Sequence, residues 1–237
     1  PDIVIDAGEI PRSWFHDGIG YELLGFWCGQ HAQNSIPYLM GVPTGNETML
    51  RSLCSGLGVT GNMAMTHIHE LTPEWRSGYS HISTNSLLED RIYIKPTDLT
   101  SLKNQFYTER SYPVGTVTLG APHASKTQIR NLANIVRAKS QPFQTRVVIS
   151  LSREMYDQTG PDVEVLENAG AELVRDTCTY YGTIVRPEDG IVVTGSTKWA
   201  FYGAANLGCK TILGSWTECL ETCFSGEYKR DRDFWGD

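Results

Sequence analysis

Short apolar runs alternate with helix-forming stretches along nearly the whole chain, and this alternation constrains the fold more than any other feature. The runs Asp2–Asp6, Pro37–Val42, Asn62–Ile68, Arg91–Lys95, Gly115–Gly120, Thr145–Leu151, Ile191–Val193 and Thr211–Leu213 are too short for helices and rich in Val, Ile and Leu. Between them lie stretches of helical period. Tyr21–Ala32 carries Leu23, Leu24, Phe26, Trp27 and Cys28, and Asn46 caps a second helix through Met49, Leu50, Leu53 and Leu57. Asp98 opens a helix toward Phe106. Ser125 with Gln128 reads as a capping box ahead of Ile129, Leu132, Ala133 and Val136. Arg153–Thr159 and Val163–Ala169 are helical, and Leu173 and Val174 lead into Asp176. Residues 71–90, with Pro73 and many Ser, Gly and Asn, read as a loop. Strands without polar alternation belong to parallel sheets covered by helices on both faces. The expectation is an α/β fold of mostly parallel sheet, in two lobes, 1–110 and 111–237.

The net charge is −7 and no basic run interrupts the chain, which argues against nucleic acid or an anionic membrane as a partner. No apolar run approaches the roughly 20 residues of a membrane-spanning helix, and no signal peptide is evident. Six cysteines in 237 residues are too few for a disulfide scaffold, so reduced thiols and a cytoplasmic setting are expected. The chain begins at Pro1 and enters a strand almost at once. It reads as part of a longer polypeptide, with part of any active site lying outside it.

Ligands of parallel α/β sheets bind where strands end and helices begin. Four such turns hold reactive side chains: Thr66-His67-Ile68-His69-Glu70, Gly120-Ala121-Pro122-His123-Ala124-Ser125, Asp176-Thr177-Cys178, and Gly195-Ser196-Thr197-Lys198. The last belongs to Gly190–Gly226, a strand–turn–helix repeated by a second strand and a helix with Cys219 and Cys223. Two hydroxyls and one ammonium at a helix start suit a carboxylate or phosphate. A phosphate loop of nucleoside triphosphatases is excluded, because Lys198 follows the hydroxyl residues instead of preceding them. Ser196 reads equally well as a plain helix cap. His67 and His69, two apart on a strand, face one side and could pair on zinc, or His67 could contact substrate. His123 could donate a proton to an anion or simply fill a turn.

Cys28 and Cys54 fall on apolar helix faces and are expected in the core. Cys178, between Thr177 and Thr179, stands in a polar turn, an uncommon place for a packing residue. The absence of a Cys-x2-Cys pair excludes a zinc ribbon or a ferredoxin-type cluster, while thiolates scattered in sequence can still converge on iron and sulfide.

Taken in order, five motifs resemble the aconitase X family. They are His67 with Thr72-Pro73-Glu74, Gly120-Ala121-Pro122-His123-Ala124-Ser125, and Asp176-Thr177-Cys178. Thr194-Gly195-Ser196-Thr197-Lys198-Trp199-Ala200-Phe201-Tyr202 and Gly214-Ser215-Trp216-Thr217-Glu218-Cys219 complete the set, which covers residues 60–225. The chain departs from the family at Ala121, where some members have Cys, at Gly195 for Asn, at Phe201 for His, and at Trp216-Thr217 for Leu-Glu.

The resemblance implies an aconitase-like three-layer architecture and a hydro-lyase that removes water from a small hydroxy acid with an iron–sulfur cluster as Lewis acid. The implied substrate is cis-3-hydroxy-L-proline or, as the alternative, mevalonate 5-phosphate. The cluster is [2Fe-2S] or [4Fe-4S], with Cys178 and Cys219 as metal ligands. Ser125, Ser196, Thr197 and Lys198 would bind substrate, and His67, His123 and Lys198 would act in catalysis. The implied partners are the missing N-terminal region and a small swivelling domain or subunit. A competing reading of another class is a non-catalytic α/β subunit that binds an anion or scaffolds a partner.

Overall fold

The structure is a computed structural model that describes residues 1–32, 34–106 and 111–236. The chain divides into two compact units, Pro1–Gln105 and Phe106–Asp237.

The first unit runs β1 (Ile3–Asp6), α1 (Arg12–Asp17), α2 (Ile19–His31), β2 (Pro37–Met40), α3 (Glu47–Gly61), β3 (His67–Ile68), α4 (Trp75–Thr84), β4 (Ile92–Tyr93) and α5 (Pro96–Lys103). Its strands form a parallel sheet in the order β3-β2-β1-β4. Every residue of α2 from Ile19 to Gly29 is buried, so this helix, apolar on all sides, is an inner element. It lies against α3 at glycine-to-backbone distance. A Cβ on Gly25 would stand 2.1 Å from the Leu53 carbonyl oxygen, and one on Gly56 would stand 2.5 Å from the Phe26 nitrogen. Asn46 caps α3, its Oδ1 accepting from Met49 N at 3.1 Å.

Three expectations need correction here. The strand expected over Asn62–Ile68 is confined to His67–Ile68, because Asn62 takes a left-handed conformation (φ 50°) that closes α3. The loop expected over residues 71–90 contains α4. Its polar sequence conceals a one-sided stripe, Gly78 and Ile82, that packs on Tyr38. Cys54, expected in the core, is exposed, since α3 turns Leu53, Gly56 and Leu57 inward.

The second unit begins with β5 (Ser111–Pro113), β6 (Thr116–Leu119), α6 (Lys126–Lys139), β7 (Arg146–Leu151), α7 (Arg153–Gln158), α8 (Gly160–Asn168) and β8 (Ala171–Arg175). It continues with β9 (Val192–Thr194), α9 (Thr197–Leu207), β10 (Thr211–Leu213), α10 (Trp216–Ser225), β11 (Glu227–Lys229) and α11 (Arg232–Trp235). Five strands make a parallel sheet in the order β10-β9-β6-β7-β8, and β5 with β11 makes a small antiparallel pair.

The capping box at Ser125 is present: Oγ accepts from Gln128 N at 3.3 Å, and Gln128 Oε1 accepts from Ser125 N at 3.0 Å. One sheet face packs Val117, Ile149, Val193 and Ile212 against Ile129, Leu166, Cys219 and Cys223 of α6, α8 and α10. The other packs Val148 and Val192 against Trp199 of α9, Tyr180 and Val185. Both faces are therefore covered, as parallel pairing requires.

Candidate functional site

The order of the five-stranded sheet reverses at one place. From β6 the chain proceeds outward through β7 and β8, then returns beside β6 with β9 and moves the other way to β10. The crevice outside the carboxyl ends of β6 and β9 is the topological switch point, where open α/β sheets bind ligands. Two of the expected reactive turns flank it. After β6, Gly120 has φ 85° and lies so close to the Ser150 carbonyl that a Cβ would approach it to 2.1 Å. Ala124 N donates to the same carbonyl at 2.8 Å. His123 and Ser125 stand half-buried in this turn.

After β9, Ser196 caps α9, its Oγ accepting from Trp199 N at 3.2 Å and donating to the Ala121 carbonyl, so the two turns are joined across the crevice. Ser196 and Thr197 are buried, and Thr194 belongs to the strand rather than to the turn. Lys198 is half-buried, with Nζ 6.0 Å from the Tyr180 ring centroid. Of the expected anion-binding group, Lys198 has the accessible side chain. The hydroxyl of Ser196 is engaged as a cap.

The two proposed metal ligands border this turn from opposite faces of the sheet. Cys219, in the first turns of α10, is fully buried on the α6–α8–α10 face, and a Cβ on Gly195 would lie 3.8 Å from its Sγ. Cys178 is half-buried against the α9-side cluster, where Ala121 also packs. The residue after it, Thr179, accepts from Trp199 Nε1 at 2.8 Å. Burial, then the hydrogen bond with Cys178, raises the Tyr180 phenol far above its ordinary range. Cys28 and Cys209 are buried, and burial pushes the Cys223 thiol up to about 12. Among the described residues no three His, Cys, Asp or Glu side chains are placed to hold one metal ion. Cys178 and Cys219 thus fit an iron–sulfur cluster in donor type but not in number, since even a cluster with one open iron site needs more than two protein ligands.

His67 belongs to the first unit, as the first residue of the edge strand β3. Its Nδ1 is buried without a hydrogen-bond partner among the described residues. Burial, then the N-terminal charge, lowers its pKa from the usual 6.5, against the opposing pull of Glu74. Tyr38 from β2 stacks on it at 6.3 Å between centroids and reaches His69 Nδ1 through its hydroxyl at 2.9 Å. Trp75 and Tyr79 of α4 complete this aromatic surround. No local pattern pointed to Tyr38 or Tyr180 at these places. Thr-Cys-Thr was the one local cue to the second group.

The sheet orders define a doubly wound α/β protein whose second unit has a topological switch point at its strand ends, the place where such folds bind ligands. The chain belongs to the aconitase X family: the second-domain model of that family matches residues 1–104 and the third-domain model matches residues 114–225. The phosphomevalonate dehydratase large subunit of Thermococcus kodakarensis is 28% identical over 185 residues, 77% of this chain and 46% of that protein. The cis-3-hydroxy-L-proline dehydratase of Hypocrea jecorina is 28% identical over 221 residues, 88% of this chain and 36% of that protein. The crystal structure of Thermococcus kodakaraensis aconitase X, holo-form, shares the fold with a TM-score of 0.74 at 23% identity, over 93% of this chain and 54% of that one. The chain therefore spans between about a third and just over half of the length of these relatives.

Proposed function

We propose that this chain is part of a hydro-lyase that eliminates water from a small hydroxy acid, cis-3-hydroxy-L-proline in the first instance and mevalonate 5-phosphate as the alternative. The observation that carries the reading is the position of the Gly195–Lys198 turn at the strand-order reversal, with Cys178 and Cys219 on its two sides. Relatives named as dehydratases of those two substrates support the class.

In this reading Lys198, at the start of α9, holds the substrate carboxylate with the help of the helix N-terminus. Ser125, Ser196 and Thr197 shape the two turns that receive it. The Gly195–Lys198 turn holds one Lys with two hydroxyl residues and the sequence has no Arg cluster there, which leans the reading toward a carboxylate. His67 and His123 are the candidates to orient the substrate or pass a proton. The cofactor is an iron–sulfur cluster, [2Fe-2S] or [4Fe-4S], for which Cys178 and Cys219 give part of the ligand set. The remainder comes from the proposed N-terminal region, and a small swivelling domain or subunit is the proposed partner. No helix among the described residues is long and apolar enough to cross a membrane, and we place the protein in the cytoplasm.

The test is anaerobic iron and sulfide analysis with a visible spectrum on the full-length polypeptide, alongside product analysis with both hydroxy acids. Near-stoichiometric iron and sulfide, absorbance lost in Cys178→Ser, and an unsaturated product are expected. Colourless protein without product would favour the anion-binding subunit instead.

A further inference from the structure

The two strands that meet at the switch point of the second unit each put a buried hydroxyl on the same face of the sheet. Val117 and Leu119 of β6 and Val193 of β9 belong to the α6–α8–α10 face, so alternation turns Thr118 and Thr194 to the α9 face. The parallel register sets these two threonines directly beside each other, one strand spacing of about 4.8 Å apart. Each is 1% exposed. Thr118 Oγ1 makes no hydrogen bond among the described residues. Thr194 Oγ1 accepts from Ser196 N at 3.3 Å, at the cap of α9, and its own proton meets no acceptor among the described residues. Two neighbouring hydroxyl protons thus lie without acceptors in a place where an unmet polar group is costly.

Their surroundings select the partner. The Ser196 amide already donates to Thr194, and the amino end of α9, a helix of 11 residues, adds partial positive charge. Protons and positive charge converge there, which suits an atom with lone pairs and negative charge, an anionic oxygen. We propose that Thr118 and Thr194 form the floor of the switch-point site and that their two protons bind one oxygen of a small anion. Its identity as the carboxylate of a hydroxy acid rests on the hydro-lyase reading; the paired hydroxyls do not. Ser196 Oγ and the Ala121 carbonyl join the turns that follow the two strands, so the oxygen enters as that hydrogen bond opens.

Thr116 supplies the control. It lies on the same strand and face, is fully buried, and its Oγ1 also makes no hydrogen bond among the described residues. It stands at the amino end of β6, however, and its neighbours in register are Val192 and Arg146. Valine keeps the shape of either threonine and removes an unmet hydroxyl. Thr116→Val and Thr118→Val should therefore both melt at or above the temperature of the unmodified protein. Thr118→Val alone should weaken anion binding.

The experiment is titration calorimetry on the full-length polypeptide with L-proline, a carboxylate without the hydroxyl, and separately with inorganic phosphate. Thr118→Val is expected to lower the affinity about ten-fold and Thr116→Val to leave it unchanged, while Thr118→Ser, which keeps the hydroxyl, should restore it. A loss confined to L-proline identifies a carboxylate site, a loss confined to phosphate a phosphate site, and a loss of both a site for either oxyanion. Unchanged affinity in Thr118→Val, equal losses in both valine variants, or an unmodified protein that binds neither anion would overturn the inference. Unchanged affinity with a lower melting temperature would assign the hydroxyl to a structural water, which also overturns it. Should Thr118→Val fail to fold, Thr118→Cys, whose thiol is a weak donor, takes its place and should show the same loss. Dehydration of a hydroxy acid with KM unmoved in Thr118→Val refutes this inference alone. Anion binding lost in that variant, without dehydration by the unmodified protein, refutes the hydro-lyase reading alone.

Discussion

Trp199 donates its indole N–H to Thr179 Oγ1 at 2.8 Å with both side chains buried, and so ties the segment carrying Cys178 to α9. Thr179→Val keeps the shape but leaves the indole N–H unsatisfied, at a cost of about 1–3 kcal/mol. The same change should free the Cys178 segment. In a Cys54→Ser background, which removes the exposed thiol, alkylation of Cys178 is expected to quicken several-fold. Adding Trp199→Phe to Thr179→Val should cost less than the sum of the two singles. Additive losses measured by urea unfolding would show that the pair is not coupled.

How far the sequence foretold this follows from the range of the interactions. The strands of the second unit and the Ser125–Gln128 box were legible because apolar runs and caps are local. The α4 segment was not, since its helix stands on Gly78 and Ile82 meeting Tyr38, a residue about forty positions earlier. The β5–β11 pair joins segments more than a hundred residues apart and carries no apolar run to announce it. At the site, residue type pointed to Lys198 and Cys178. Type could not reveal that Ser196 and Thr197 are buried, because burial is set by the Ala121 turn and the α9 packing.

The α2–α3 contact predicts an unusually severe small substitution. A methyl on Gly25 would stand 2.1 Å from the Leu53 carbonyl, and the obstacle is backbone in a neighbouring helix, which cannot rotate aside. Gly25→Ala should therefore cost about 3 kcal/mol or more, at the upper end of overpacking. Gly58→Ala, on the same α3 but with open space around it, is the control and should be close to neutral. Thermal unfolding of the two variants makes the comparison. Equal melting temperatures would remove the close approach.

His67 makes stability depend on pH in a fixed direction. Burial lowers its folded-state pKa below the ordinary 6.5, so the unfolded chain binds the proton more readily. Above about 6.5 the residue is neutral in both states and has no effect. As pH falls below that value the unfolded state protonates first, and stability is lost until the folded-state pKa is passed. His67→Asn should flatten this part of the profile of unfolding free energy against pH. A profile as steep as that of the unmodified protein would assign the loss to other groups.

Glu218 predicts the clearest effect of an isosteric change. Its buried carboxylate accepts from Ser215 N at 2.8 Å through Oε2, and from Asp231 N at 2.8 Å and Trp235 Nε1 at 2.9 Å through Oε1. One side chain thereby caps α10 and fastens α11, the last helix, to it. These three partners only donate, and the Tyr228 phenol also hydrogen-bonds to the carboxylate, so the site suits an acceptor with two oxygens and no hydrogen. Glu218→Gln keeps the volume but must point its NH2 at one of these donors. Retaining Oε1 for Asp231 and Trp235 sets N–H against N–H at Ser215; the opposite flip loses both α11 contacts. The second outcome exposes the C-terminal helix while α10 keeps its cap, the first frays α10 while α11 stays. Either costs about 2 kcal/mol, the penalty of an unmet buried donor beside a lost charge-assisted bond. Limited proteolysis tells them apart: early cleavage near Asp231 marks release of α11, and early cleavage near Ser215 marks loss of the cap. A variant as stable and as resistant as the original would mean that Glu218 does not fasten the two helices.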